Sequence, residues 1–289
     1  MNRNIDLFGK EIIEKESLRD KWIEPPFTRL DAVSGSWQKR KQKWLRLGIK
    51  SELGREGALC LAQGLNALDP RENYTGTSVF DPVLCELMYK WFCPENGEVL
   101  DPFAGGSVRG VVANYLGYKY TGVELRKEQV DSNREQAINL LDIKNQPQWY
   151  VGDSNDVLNN FNKKYDFVFS CPPYMNLEVY SDLPNDLSTM SDDDFTKVYN
   201  SIINKTCKLL KKDAFACFVV GDVRDKKGFY KDFITITKIA FYKAGLKLYN
   251  EAILLENGLN TAAMRADRQF KASKKLVKVH QNVLIFKKP

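Results

Sequence analysis

Two turns in this 289-residue chain hold side chains whose types and spacing suit chemistry. The first is Val99-Leu100-Asp101-Pro102-Phe103-Ala104-Gly105-Gly106-Ser107, a strand-like run entering a glycine turn that opens a helix. Glycines at that point let a ligand lie close against the backbone. Glu124 ends the next strand-like run, where a carboxylate accepts hydrogen bonds from both hydroxyls of a ribose, and Asp153 ends a third. A glycine pair alone reads as a mere connection. Three carboxylates at successive strand ends instead favour a ligand with a ribose, amino groups and a positive charge, because a phosphate cradle would avoid them.

The second turn is Ser170-Cys171-Pro172-Pro173-Tyr174, after the apolar run 165–170. Two prolines fix φ and remove two N–H donors, so the carbonyls of Cys171 and Pro172 are held rigidly beside an aromatic ring. Such acceptors suit an exocyclic amino group, whose lone pair is delocalised until its protons are hydrogen-bonded. Tyr174 is placed to stack on a base taken out of a duplex.

An alternation of strands and helices must position both turns. Apolar periodicity predicts helices over 83–92, 108–116, 126–141 and 231–244, and strands over 98–101, 119–124, 148–153, 165–170, 214–220, 246–255 and 282–286. A further helix starts after Ser191 as N-cap, with Asp194 in its first turn. The pattern calls for a mostly parallel sheet covered on both faces, an α/β fold. Residues 1–75 read as an irregular, partly helical basic extension, with one helix over 37–47 placing Trp37, Lys41 and Trp44 on one face; 76–289 read as the main domain.

Composition excludes several classes. Six cysteines lie at 60, 85, 93, 171, 207 and 217 with no C-x-x-C spacing, and there is one histidine, His280, so no metal site and no imidazole-based triad is expected. The longest apolar runs are strand-length and the N-terminus is charged throughout, which predicts a soluble, cytoplasmic protein with no membrane segment. The net charge of +6 is unevenly spread. Residues 37–55 hold seven cations (Lys39, Arg40, Lys41, Lys43, Arg46, Lys50 and Arg55) against Glu52 alone, and 257–289 hold eight, among them Arg265 and Arg268, against Asp267 alone. The rest of the chain is net acidic. Each basic run by itself suits a solvated helix face; two flanking one site favour nucleic acid.

Together the two turns resemble those of the S-adenosylmethionine-dependent DNA amino-methyltransferases, which make N6-methyladenine and N4-methylcytosine. Asp101 to Ser107 is similar to that family's Asp-Pro-Phe-x-Gly-Ser-Gly motif, and Cys171 to Tyr174 to its Asp/Asn/Ser-Pro-Pro-Tyr/Phe/Trp motif. Phe80-Asp81-Pro82 resembles the segment that closes over the methionine moiety. The motif order, without a recognition domain between, resembles small prophage-type modification methylases of restriction-modification systems. The resemblance covers roughly 76–289 and implies a seven-stranded Rossmann-like methyltransferase sheet with 282–286 antiparallel.

What the resemblance implies for the site is as follows. Phe80, Asp81, Pro82, Asp101, Phe103, Ala104, Gly105, Gly106, Ser107, Glu124, Leu125, Asp153, Ser154 and Ser170 surround S-adenosylmethionine, with Glu124 on the ribose and Asp153 at the adenine amino group. Cys171, Pro172, Pro173 and Tyr174 meet the target base, N6-adenine being placed ahead of N4-cytosine. Lys39, Arg40, Lys41, Lys43, Arg46, Arg265 and Arg268 contact DNA, and a second copy or a partner subunit is a further source of recognition. Two departures stand out. The family's Gly-Ser-Gly is Gly105-Gly106-Ser107 here, and its Asp/Asn/Ser is Cys171, a weak acceptor, so the backbone carbonyls or Ser170 must take that role or activity falls. Rival expectations are an RNA or protein-glutamine methyltransferase, a catalytically weak protein that binds cofactor and DNA, and a cytosine-C5 enzyme using Cys171 as nucleophile.

Overall fold

The chain's structure is a computed structural model, described over residues 17–49, 80–175, 181–256 and 259–289, with side chains of 259–265 excepted. The domain boundary expected between 75 and 76 lies outside the described residues, as do Lys50, Arg55 and the side chain of Arg265. The elements in order begin with α1 (Leu18–Trp22), β1 (Arg29–Asp31), α2 (Gly35–Arg46), α3 (Pro82–Phe92), β2 (Glu98–Asp101), α4 (Val108–Tyr115) and β3 (Lys119–Glu124). There follow α5 (Lys127–Leu140), β4 (Gln148–Val151), α6 (Ser154–Val157), β5 (Tyr165–Ser170), α7 (Asp192–Leu209) and β6 (Leu210–Val220). The chain ends with α8 (Phe233–Lys243), β7 (Lys247–Leu255), α9 (Leu259–Ser273) and β8 (His280–Lys287).

Local chemistry sets these boundaries. Asp81 accepts hydrogen bonds from the N–H groups of Val83 and Leu84, and Pro82 opens α3 where its missing N–H would be unpaired anyway. Ser191 caps α7 through the N–H of Asp194, as expected, and three aspartates favour the positive end of its dipole. Phe167, Val168 and Phe169 are fully buried because β5 is covered on both faces.

The strand order is β1-β7-β8-β6-β5-β2-β3-β4, all parallel except β8, which runs antiparallel to both neighbours. The fold is therefore the expected Rossmann-like α/β sheet, with eight strands among the described residues rather than seven. The extra strand is β1, which pairs parallel with β7 from Arg29↔Ile253 to Asp31↔Leu255. The N-terminal segment is less separate than its sequence implies: Trp37 and Trp44 of α2 are buried in the core layer that holds α3 and α4. A second apolar layer, built around Phe195, Tyr199, Phe218, Phe233 and Phe241, covers the opposite face. Among the described residues no helix is long and apolar enough to cross a membrane.

One buried ionic group ties the centre of the sheet to its turns. Asp101, at the end of β2, is fully buried. Its Oδ2 accepts from Arg109 Nε at 2.6 Å and from the Tyr120 hydroxyl at 2.7 Å; its Oδ1 accepts from Ser170 Oγ at 2.5 Å and from the Phe103 N–H at 3.1 Å. Arg109 also donates to the carbonyls of Phe103 and Ala104 at 2.7 and 2.9 Å. Burial alone would weaken the Arg109 charge; Asp101 reverses this and holds the guanidinium well above its ordinary range. A buried pair of this kind is costly to break, since removing one partner strands the other charge. Arg109→Met should therefore cost about 3–5 kcal/mol in urea unfolding, and Tyr120→Phe, which removes one donor to a charge, about 1.5–3 kcal/mol. An Arg109→Met protein as stable as the parent would show that the network does not hold this region.

Candidate functional site

The strand order places β3 on one side of β2 and β5 on the other, so the turns leaving β2 and β5 diverge to opposite faces. A crevice opens at such a switch point, outside the carboxyl ends of the strands. Here it is a cavity of about 650 Å³, reached by residues that follow β2, β3, β4, β5 and β7 and precede β8.

The glycine turn forms one part of the wall. Gly105 takes φ of +51°, in the left-handed region that a side chain would strain. Its N–H donates to Glu124 Oε2 at 2.9 Å, and the Arg126 N–H donates to Glu124 Oε1 at 3.1 Å. Glu124 thus braces the turn while remaining part of the cavity wall. Asn133 Nδ2 donates to the Gly105 carbonyl at 2.7 Å, fixing it from behind. Asp153 caps α6 through the Asn155 N–H at 2.7 Å and also lines the cavity. Between these carboxylates and β5 sits Phe103, whose ring stacks on Tyr199 with centroids 5.9 Å apart.

The proline turn forms the facing wall. Cys171, Pro172, Pro173 and Tyr174 all line the same cavity as Glu124 and Asp153. The Tyr174 ring tilts against Phe233 at 6.0 Å, and its hydroxyl lies 3.6 Å from Cys171 Sγ. Burial pushes the Cys171 thiol up, and Arg109 and the Tyr174 hydrogen bond oppose this only in part, so the neutral thiol is favoured.

Of the residues expected around a cofactor, Phe80, Asp81, Phe103, Gly105, Gly106, Glu124, Leu125, Asp153 and Ser154 line the cavity. The others stand behind the wall, each for a physical reason. Asp101 is consumed by Arg109, Tyr120, Ser170 and the Phe103 N–H. Ser170 is fully buried and spends its hydroxyl on Asp101, so it does not stand in for Cys171. Ser107 is buried and donates to Gln136 at 2.7 Å. Ala104 is fully buried and bound through its carbonyl to Arg109, and Pro82 is buried in the first turn of α3.

The basic run on α2 is also divided. Arg40 donates to both oxygens of Glu86, at 2.6 and 2.5 Å, and Lys41 pairs with Asp81 at 3.1 Å inside the cavity wall. These two cations, expected on DNA, dock α2 onto α3 instead. Lys39, Lys43 and Arg46 are exposed, as is Arg268 on α9.

Sequence reasoning missed the far end of the cavity, where Glu256 follows β7 and Lys278 precedes β8. Burial raises the Glu256 carboxyl above its ordinary value, with Asp81 adding to this and Lys41 and Lys278 opposing; burial lowers Lys278, with Asp222 and Glu256 opposing. Glu256 carries the same sequence signal as Glu124 and Asp153, a carboxylate at a strand end. The loop before α7 also contributes, through Asn185, Asp186 and Leu187.

No family model matches the chain, and no curated protein matches it. Among solved structures it is similar to TrmN from Thermus thermophilus, at 15% identity and a TM-score of 0.47, over 72% of this chain and 49% of that one. The chain thus spans about half the length of that structure. It is similar to magnesium protoporphyrin IX methyltransferase (ChlM) from Synechocystis with bound SAM, at 11% identity and a TM-score of 0.42, over 68% of this chain and 71% of that one. It is also similar to a TehB-like SAM-dependent methyltransferase from Corynebacterium glutamicum, at 14% identity and a TM-score of 0.45, over 87% and 97% of the two chains. At these identities and scores the substrates of those proteins do not transfer to this chain.

Proposed function

We propose that this chain is an S-adenosylmethionine-dependent methyltransferase acting on the exocyclic amino group of a base in DNA. The observation that carries the reading is that the acid-rimmed glycine turn and the Cys171-Pro172-Pro173-Tyr174 turn line one continuous cavity at the switch point of the sheet.

The lining fits such a cofactor. Gly105 and Gly106 leave the backbone open, Glu124 and Asp153 offer carboxylates to a ribose and an amino group, and Phe103 and Leu125 give apolar contact. When bound, S-adenosylmethionine would supply an electrophilic methyl group on a positively charged sulfur. The chain's own part is mostly positioning. The carbonyls of Cys171 and Pro172, fixed by two prolines, accept the protons of the amino group and so free its lone pair. Tyr174 offers a face to the base, and its contact with Phe233 holds that face in place. No imidazole is required, since the amino proton can leave to water after transfer. A neutral Cys171 thiol fits this role better than nucleophilic attack on C5 of cytosine.

Transfer of label from methyl-labelled cofactor to duplex DNA tests the reading; label in RNA or a protein glutamine but in no DNA would replace it. Tyr174→Ala should lower the transfer rate about 10- to 100-fold, the worth of one lost base stack, with a smaller loss for Cys171→Ala. Glu124→Gln keeps an acceptor for the turn but removes the charge, so it should weaken cofactor binding about tenfold, one charge-assisted hydrogen bond. Calorimetry checks this, with DNA affinity expected to be unchanged.

A further inference from the structure

The loop that follows β6 and the connector from α9 to β8 meet to form a second basic surface, at the mouth of the cavity. The loop folds back on itself: Arg224 and Tyr230 form a β-bridge, the Asp225 N–H donates to the Phe229 carbonyl at 2.9 Å and the Lys231 N–H to the Val223 carbonyl at 3.0 Å. Gly228 at its tip takes φ of +96° and packs so closely on the Lys275 side chain that a Cβ there would collide with it. Further along, Lys278 Nζ reaches the Asp222 carbonyl at 3.5 Å. The loop and the connector therefore run side by side. Their inner edge is the site already described, because Lys278 and Val279 line the cavity.

Two properties mark this surface out. Arg224, Lys226, Lys227, Arg268, Lys274 and Lys275 have no carboxylate partner among the described residues, whereas Lys231 and Lys271 nearby are paired with Asp192 and Asp267. Two carboxylates of the loop accept from backbone, Asp225 Oδ1 from the Phe229 N–H and Asp222 Oδ1 from the Ile234 N–H. Apolar groups are interleaved with the cations. Phe229 and Leu276 are 71% and 72% exposed, and the Arg224 guanidinium lies 3.8 Å from the centroid of the exposed Tyr230 ring. Uncompensated cations collect phosphates by counterion release, and exposed rings offer faces to bases. An acidic protein would satisfy the charge but leaves the exposed rings without a role.

We infer that the loop 222–231 and the connector 274–279, with the last turns of α9, form the surface on which duplex DNA lies while one base enters the cavity. The inference rests on the proposed methyl transfer to DNA and adds the partner's place. The loop is not legible in the sequence, where aspartates mask the local charge of Arg224, Lys226 and Lys227 until the fold brings Lys274 and Lys275 alongside.

The test is salt-dependent binding of a fluorescent duplex of mixed sequence, with cofactor affinity and thermal stability measured on each protein. Lys226→Glu, Lys227→Glu and Lys274→Glu combined should weaken binding at least tenfold and flatten the slope of log K against log salt by about two to three, near 0.9 for each lost phosphate contact. Glutamine at the same positions should give a smaller loss in the same direction, which separates lost attraction from misfolding. Cofactor affinity should be unchanged in both. Lys39→Glu, Lys43→Glu and Arg46→Glu combined should weaken duplex binding less than the loop variant does. If this α2 variant loses binding and the loop variant keeps it, the surface is wrong and the proposed reaction stands. If the parent binds cofactor but no duplex at low salt, both are wrong.

Discussion

The buried Asp101 carboxylate is the constraint on which the site depends. It accepts from groups on β3, β5 and α4 and from the turn that leaves β2, so four parts of the fold are fixed relative to one charge. Arg109 extends that hold to the carbonyls of Phe103 and Ala104. The glycine turn can then be open toward the cavity because it is fastened from behind. Every oxygen lone pair used here has a good donor, which is the condition under which a buried ion pair is tolerated. The same network also disposes of Ser170, leaving Cys171, Pro172, Pro173 and Tyr174 as the part of β5's turn that faces the cavity.

Beyond that anchor the fold sorts charge by position. Carboxylates that follow parallel strands, Glu124, Asp153 and Glu256, gather on the cavity wall. Some cations near them are spent on structure, Arg40 on Glu86 and Lys41 on Asp81, and these hold α2 over one end of the cavity. Cations without such partners lie outside, among them Arg224, Lys226 and Lys227 on the loop after β6 and Lys274 and Lys275 after α9. A positively charged small ligand inside and a polyanion outside is the arrangement this sorting favours on the proposed reading.

Much of the sheet was legible in the sequence because its signals are local. The runs 98–101, 119–124 and 165–170 coincide with β2, β3 and β5, and Ser191 caps α7 where its spacing to Asp194 predicts. What was not legible depends on partners distant in the chain. Asp101 reads as a ligand residue from its place at a strand end, and only the fold shows Arg109, Tyr120 and Ser170 turned onto it. Trp37 and Trp44 bracket a basic run, and only the fold shows their indole N–H groups donating to Asp81 and Glu86 inside the protein. β1, at three residues, is too short to show an alternation and exists because β7 offers it an edge. The helix α9 reads from Arg265, Arg268 and Lys271 as a charge run, although Leu259–Ser273 contains no proline or glycine to interrupt it.

The atom that is methylated distinguishes amino-group transfer from its rivals. Duplex DNA incubated with the protein and S-adenosylmethionine, then digested to nucleosides and resolved by mass spectrometry, reports this directly. The predicted product is a deoxynucleoside methylated on its amino group, N6-methyldeoxyadenosine or N4-methyldeoxycytidine. Methylation at C5 of cytosine, or no methylated nucleoside from a protein that binds both cofactor and duplex, would contradict it.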